Sequence, residues 1–178
     1  FYLNRDDIPY LPDGTQDFET VNALDIKHIE KTILSAIENR EITIPNYSFE
    51  EGRAIGEDEV LKIGENDMVI LEGIHALNDR LTSLIPKYQK FKIFISPSNQ
   101  IKLDAHNPIN LTDLRLIRRL VRDFKHRGSD AVETLSMWAS VRKGEFKWIY
   151  PHQDSVDYTF NSELSYEFGV LKKYAMPM

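Results

Sequence analysis

The stretches MVILEG at residues 68–73 and FKIFIS at residues 91–96 decide how this chain is read. Residues 68–71 are a short, continuous apolar run closed by Glu72 and bounded by Asn66-Asp67 and Gly73, and 91–96 are a second such stretch, interrupted only by Lys92. Continuous rather than alternating hydrophobicity suits a strand covered on both faces, as in a parallel sheet flanked by helices. Residues 74–88 lie between them, with room for a helix at 78–84. That order is a strand, helix, strand unit and predicts an α/β fold. After Ser96 comes a polar stretch with Pro97, Pro108 and several Asn, too long for an ordinary connection and expected to be a functional or mobile loop.

Beyond that loop, residues 112–128 read TDLRLIRRLVRDFKHRG, and six of the thirteen residues from 115 to 127 are Lys or Arg. At about 100° per residue, Arg115, Arg118, Arg119, Arg122 and Lys125 share one arc of a helix. Leu114, Ile117, Leu120, Val121 and Phe124 share the other. Thr112 is the expected cap, with Asp113 in the first turn. Only Asp123 opposes the cations, whereas solvated helix faces normally interleave both signs. An unneutralised arc is expected to meet an anion; a plain solvated face is the alternative. Residues 132–148 read as another helix with Leu135, Trp138, Val141 and Phe146 inward. A last strand is expected at 157–161, and a last helix at 163–173 with Leu164, Phe168 and Leu171 on one face.

Upstream, Phe1-Tyr2-Leu3 opens the chain abruptly and is read as a cut through an element. Residues 4–16 carry turn chemistry, including Pro9, Pro12 and Asp13-Gly14. Residues 24–38 place Ile26, Ile29, Ile33, Leu34 and Ile37 at helical spacing behind the candidate caps Asn22 and Asp25. Ile42 and Ile44 alternate in a short edge strand at 41–45, and 46–59 is read as irregular. With no internal repeat, residues 1–178 are expected to form a single domain.

A chain of 178 residues, 42% hydrophobic and 28% charged, is long enough for one real core. Its net charge of −6 and pI near 5.4 count against a nucleic-acid-coating role, although a local basic site remains compatible with them. The absence of cysteine excludes disulfides, thiolate metal sites and thiol nucleophiles. No run approaches the roughly 18 apolar residues of a membrane span, so the cytoplasm is the expected setting.

Glu72 closes the first strand, where ligands bind in open parallel sheets, and is placed to reach a metal ion or a metal-bound water; pairing with a neighbouring Lys or Arg is the alternative. None of the five histidines has zinc-ligand spacing with a partner carboxylate, and His75 most simply lines the site. Tyr47 and Phe49, in a loop with Arg53, either stack on a planar ligand or plug the core. Phe18 and Glu19 pose a similar choice, with Glu19 as an acceptor for ligand hydroxyls or as a helix-leading acid. Met137 and Trp138 are most simply core, and no G-x-x-x-x-G-K-[ST] loop occurs.

Taken in order, residues 1–25 (FYLNRDDIPYLPDGTQDFETVNALD), 44–53 (IPNYSFEEGR), 68–78 (MVILEGIHALN), 114–128 (LRLIRRLVRDFKHRG) and the strand at 157–161 resemble the uridine kinase family of P-loop nucleoside kinases. The likeness covers nearly the whole chain. It is nearest to bacterial uridine-kinase-like proteins with a longer polar insertion before the arginine helix and, in some, an upstream TGS-type domain. The resemblance implies a P-loop NTPase-like parallel sheet flanked by helices, N-terminally truncated, with the first strand and P-loop absent. It implies transfer of the ATP γ-phosphoryl group to a nucleoside 5′-hydroxyl with Mg2+. Glu72 then matches the acidic residue near Mg2+, and Arg118, Arg119, Arg122 and Arg127 match lid arginines that grip phosphates. Tyr2 matches an aromatic beside the catalytic aspartate, Phe18 and Glu19 the pair that meets base and ribose, and Tyr47 and Phe49 the base pocket, with Arg53 beside them.

The chain departs from the family pattern at three places. The P-loop is missing, and the aspartate expected as general base would lie just before Phe1. Gly52 stands where pyrimidine-specific members have a base-reading His, and Met137 where the family often has Gln. The isolated chain is therefore expected to bind nucleoside and nucleotide, to be inactive, and to form homo-oligomers through an exposed sheet edge. A membrane or nucleic-acid partner is not expected. The alternatives are a non-catalytic nucleotide- or phosphate-binding module and a kinase for another small alcohol.

Overall fold

A computed structural model describes the chain apart from Asp13, Asn39, Asn99, Gln100, Ile101, Leu103 and Pro108. The Asp13 half of the Asp13-Gly14 turn and Pro108 of the polar stretch thus lie outside the described residues. The chain divides into two compact units, one of residues Phe1–Lys92 with Gly144–Ser155 and one of Ile93–Lys143 with Val156–Met178.

In the first unit, α1 (Ile26–Ile37) begins where Asp25 Oδ1 accepts the His28 N–H at 3.0 Å, as its spacing predicts. Its inward stripe packs Ile29 against Val21 and Leu81, and Phe1, Leu24, Ile26, Ile33 and Trp148 close around them. β1 (Glu41–Ile44) follows and pairs antiparallel with β4 (Glu59–Lys62), Ile42 opposite Leu61. Between these strands lies a small hairpin of β2 (Tyr47–Ser48) and β3 (Arg53–Ala54). Residues 46–59 are therefore not irregular, because Gly52 at φ 68 takes the left-handed conformation that turns the chain back on itself.

Residues 68–72 form no strand, and Met68 and Ile70 are 86% and 82% exposed. A doubly covered strand needs partners for its backbone groups, and no described segment pairs with this one. The helix expected at 78–84 is one 3-10 turn, Asp79–Leu81, capped by the buried Asn78 side chain, which accepts the Arg80 N–H at 3.0 Å. Thr82, at φ −132 and ψ 22, leaves the helical region and ends the turn there.

In the second unit, β5 (Ile93–Ser96) pairs parallel with β6 (Tyr158–Asn161), Ile93 opposite Tyr158 and Ser96 opposite Asn161. The basic helix is α2 (Leu111–His126). Its cap is Asn110, not Thr112: Asn110 is extended, and its Oδ1 accepts the Thr112 N–H at 3.0 Å. α3 (Ala131–Gly144) starts from a reciprocal cap, with Glu133 N–H donating to Asp130 Oδ1 at 2.8 Å and Asp130 N–H to Glu133 Oε2 at 3.1 Å. Beyond α3, the chain continues through a π turn at Glu145–Ile149 and a 3-10 stretch at Tyr150–Ser155. Only Val141 of the expected inward residues at 132–148 is buried; Leu135 and Phe146 are exposed. The final helix, α4 (Glu167–Ala175), starts after Leu164, which is also exposed.

Candidate functional site

In the first unit, backbone pairing gathers the predicted acceptor residues. Leu3 N–H donates to Ala23 O at 2.9 Å, and Arg5 N–H to Gly52 O at 2.7 Å, which fixes residues 1–5 against the hairpin. Asn4 Oδ1 accepts the Ala54 N–H at 3.2 Å, and Arg5 Nη2 donates to Phe49 O at 3.1 Å. The rings of Tyr2, Tyr47 and Phe49 consequently form a triangle, with centroids 5.5, 5.5 and 5.4 Å apart. Such tilted and edge-on contacts make a preformed aromatic surface. Tyr47 OH donates to Leu3 O at 3.3 Å, and burial raises its pKa against the opposing pull of the Arg5 cation.

Gly52 explains one departure from the expected pattern. A Cβ there would lie 2.7 Å from Arg5 Nε, at a φ that side chains rarely adopt. A histidine at this position would have to displace Arg5. Arg53 instead pairs through Nε and Nη2 with Glu51 Oε2, at 2.9 and 2.8 Å, on an exposed edge.

Phe18 is exposed, while Glu19 is half-buried against Gly144, where a Cβ would lie 2.5 Å from Glu19 Cβ. His75 is only 3% exposed and stands edge-on to Trp148, with ring centroids 6.1 Å apart. Its nitrogens lie near the backbone of Thr20 and Glu19 without a well-aligned hydrogen bond. Burial lowers its pKa, which those backbone groups only partly oppose, so the fold prefers the neutral imidazole. His75 is thus a packed element next to the Phe18-Glu19 segment rather than a lining residue, and nothing in its sequence position marks that burial.

Glu72 is exposed beside Gly73, whose φ is 143. Among the described residues no group of three or more His, Asp or Glu side chains could hold a metal ion. A single exposed carboxylate nevertheless fits Mg2+, which commonly takes one or two carboxylates together with phosphate and water oxygens.

In the second unit, the basic arc is not unneutralised. Asp123, 2% exposed, receives three guanidiniums: Arg119 Nε at 3.1 Å, Arg122 Nη2 at 2.8 Å and Arg127 Nε at 3.8 Å. Arg118 makes a two-point pair with the buried Glu167, including Nη2 to Oε2 at 2.9 Å. Lys125 lies over the Tyr174 ring, 3.3 Å from its centroid. Sequence reading saw Asp123 as the lone opposing charge but not that it is buried, because helix periodicity alone does not reveal which polar residue faces inward.

The model of the phosphoribulokinase/uridine kinase family matches residues 11–106. The chain belongs to that family. A uridine kinase of Saccharomyces cerevisiae is 30% identical over 143 residues, covering 79% of this chain and 25% of its own length. A Ligilactobacillus salivarius uridine kinase is 25% identical over 143 residues, covering 80% and 59%. A Clostridium botulinum uridine kinase is 26% identical over 161 residues, covering 88% and 68%. The chain thus spans between about a quarter and two thirds of the length of these curated relatives. As a family member it has the α/β fold class of the P-loop kinases, and β5 with β6 is its parallel element. No helix among the described residues is long and apolar enough to cross a membrane.

Proposed function

We propose that this chain carries the nucleoside-acceptor and phosphate-gripping residues of an ATP-dependent kinase that phosphorylates the 5′-hydroxyl of a uridine- or cytidine-like nucleoside in the cytoplasm. The triangle of Tyr2, Tyr47 and Phe49 is the observation that carries this reading. Packed rings with one edge held by backbone hydrogen bonds suit stacking on a planar base. Phe18 and Glu19 are the residues proposed to meet base and ribose, Glu19 accepting from hydroxyls, with Arg53 at the rim. Arg118, Arg119, Arg122 and Arg127 are proposed to grip phosphate oxygens, and Arg118, Arg122 and Arg127 to stabilise charge on the transferring group. Glu72 is the residue that would hold Mg2+. When bound, Mg2+-ATP supplies the γ-phosphoryl group and shields its charge.

No G-x-x-x-x-G-K-[ST] loop lies within these 178 residues, so the chain by itself is expected not to turn over ATP. A second reading, a nucleotide- or phosphate-binding module without chemistry, draws on the arginine set around Asp123 alone. A kinase for another small alcohol is a further outcome of the same test. The chain is also proposed to be part of one kinase domain and to self-associate.

A thermal-shift panel of uridine, cytidine, purine nucleosides, pantothenate and ATP separates these readings, because a ligand that binds only the folded state raises its melting temperature. A shift with uridine or cytidine that Tyr47→Ala abolishes is the expected result. A shift with ATP alone supports the module, a shift with pantothenate alone another alcohol, and no nucleoside shift overturns the proposed substrate. ATP turnover by the chain alone would overturn the expectation that these 178 residues are inactive by themselves.

A further inference from the structure

Four arginines of the second unit are held by two carboxylates that are themselves withdrawn from solvent. Side-chain exposure is 2% for Asp123 and 9% for Glu167, against 19% for Arg119, 45% for Arg118 and Arg122, and 41% for Arg127. Asp123 therefore sits under three guanidiniums, and Glu167 under one, that remain partly open to water. Four positive charges less two negative ones leaves a surplus of two in this set of six residues. The backbone reinforces the centre, as Arg127 N–H donates to Asp123 O at 3.0 Å and Ser129 N–H to the same oxygen at 3.3 Å.

Clustered arginines without an internal counter-charge repel one another and sample many rotamers, so an anion that gathers them must bear the ordering cost. A buried carboxylate that is hydrogen-bonded to Arg122 and lies within 4 Å of the charged groups of Arg119 and Arg127 removes part of that cost before the anion arrives. We propose that Asp123 and Glu167 are positioning residues that pre-set Arg118, Arg119, Arg122 and Arg127 for a polyphosphate. This rests on the reading of α2 as a phosphate grip.

Two roles for Asp123 predict opposite signs. If it merely competes for the arginines, Asp123→Asn makes the set more positive by one charge and tightens anion binding. If it positions them, the same change weakens binding despite the added positive charge.

Calorimetric titration of the chain with inorganic tripolyphosphate at two salt concentrations decides between the two. The expected result is saturable, salt-sensitive binding that Asp123→Asn weakens about tenfold, the scale on which lost preorganisation acts. Glu167→Gln, which releases only Arg118, is expected to weaken it about threefold. Affinity that is unchanged or tighter in both variants overturns the proposal while leaving the phosphate grip intact. No saturable binding by the unaltered chain overturns the grip and the proposal together.

Circular dichroism checks that each variant folds. Should Asp123→Asn fail to fold, Glu167→Gln and the arginine Nε–Hε NMR signals of the unaltered chain remain. Resolved signals for Arg119 and Arg122 that shift together on adding tripolyphosphate support positioning, and a single averaged signal overturns it.

Discussion

His75 is held neutral by burial, and this makes its proton a stability term. Its folded pKa lies below the ordinary 6.5, so the unfolded chain takes up the proton first as pH falls. The stability it contributes is complete above about pH 6.5 and is lost progressively below that, until the folded pKa is also passed. The groups acting on it are the backbone of Thr20 and Glu19, Asp17, which favours the charged form, and His152, which disfavours it. Urea denaturation at pH 7.5 and 5.5 should show a loss of stability on acidification that is smaller in His75→Phe, a substitution that keeps a ring against Trp148. Parallel losses in the two proteins would remove His75 as the source. At this scale, Tyr47 and Phe49 were legible as a pair because they lie two apart in one loop, whereas the packing of Tyr2 against them was not, since it depends on the pairing of residues near Phe1 with the hairpin. The burial of His75 and Asp123 was not legible. His75 is covered from far away in sequence, by Trp148, whereas Asp123 is covered by Arg119, Arg122 and Arg127, all within four residues of it, and a run read for its charge alone does not show that they close over it.

Elements were legible where local periodicity agrees with packing. α1, β1, β5, α2 and β6 all form close to where their patterns predict them, because each carries its own stripe or apolar run. Residues 68–72 have the strongest strand pattern of all and still form none, since strand formation depends on a paired neighbour that the pattern does not supply. The start of α2 is a finer case. Asn110, Thr112 and Asp113 are all plausible caps by composition, and only the hydrogen bond from Thr112 N–H to Asn110 Oδ1 selects among them. Asn110→Ala should therefore destabilise the chain by about 1 kcal/mol in urea denaturation, the usual cost of a lost cap. Thr112→Ala, in the first turn, should change it by less than about 0.5 kcal/mol. The reverse ranking would return the cap to Thr112.

At the scale of the whole molecule, β5 and β6 present a parallel pair with unusual exposure. Ile93, Ile95, Tyr158 and Phe160 are all exposed, although parallel strands are ordinarily covered on both faces. In a two-stranded sheet each strand also has one edge without a ladder among the described residues. Unpaired backbone beside exposed branched and aromatic side chains is a template for another strand, and an identical chain supplies one with the same register of apolar residues. We therefore expect the chain to self-associate through this sheet. Sedimentation velocity over a hundredfold concentration range should show a species that grows with concentration, and Ile95→Lys should shift it toward monomer by placing a charge on the exposed face. Ile95 packs no core in this unit, so that substitution should leave the thermal midpoint of the monomer nearly unchanged. A strictly monomeric chain at every concentration would mean that twist or the charged residues nearby already protect the edge. Oligomers indifferent to Ile95→Lys would place the interface elsewhere.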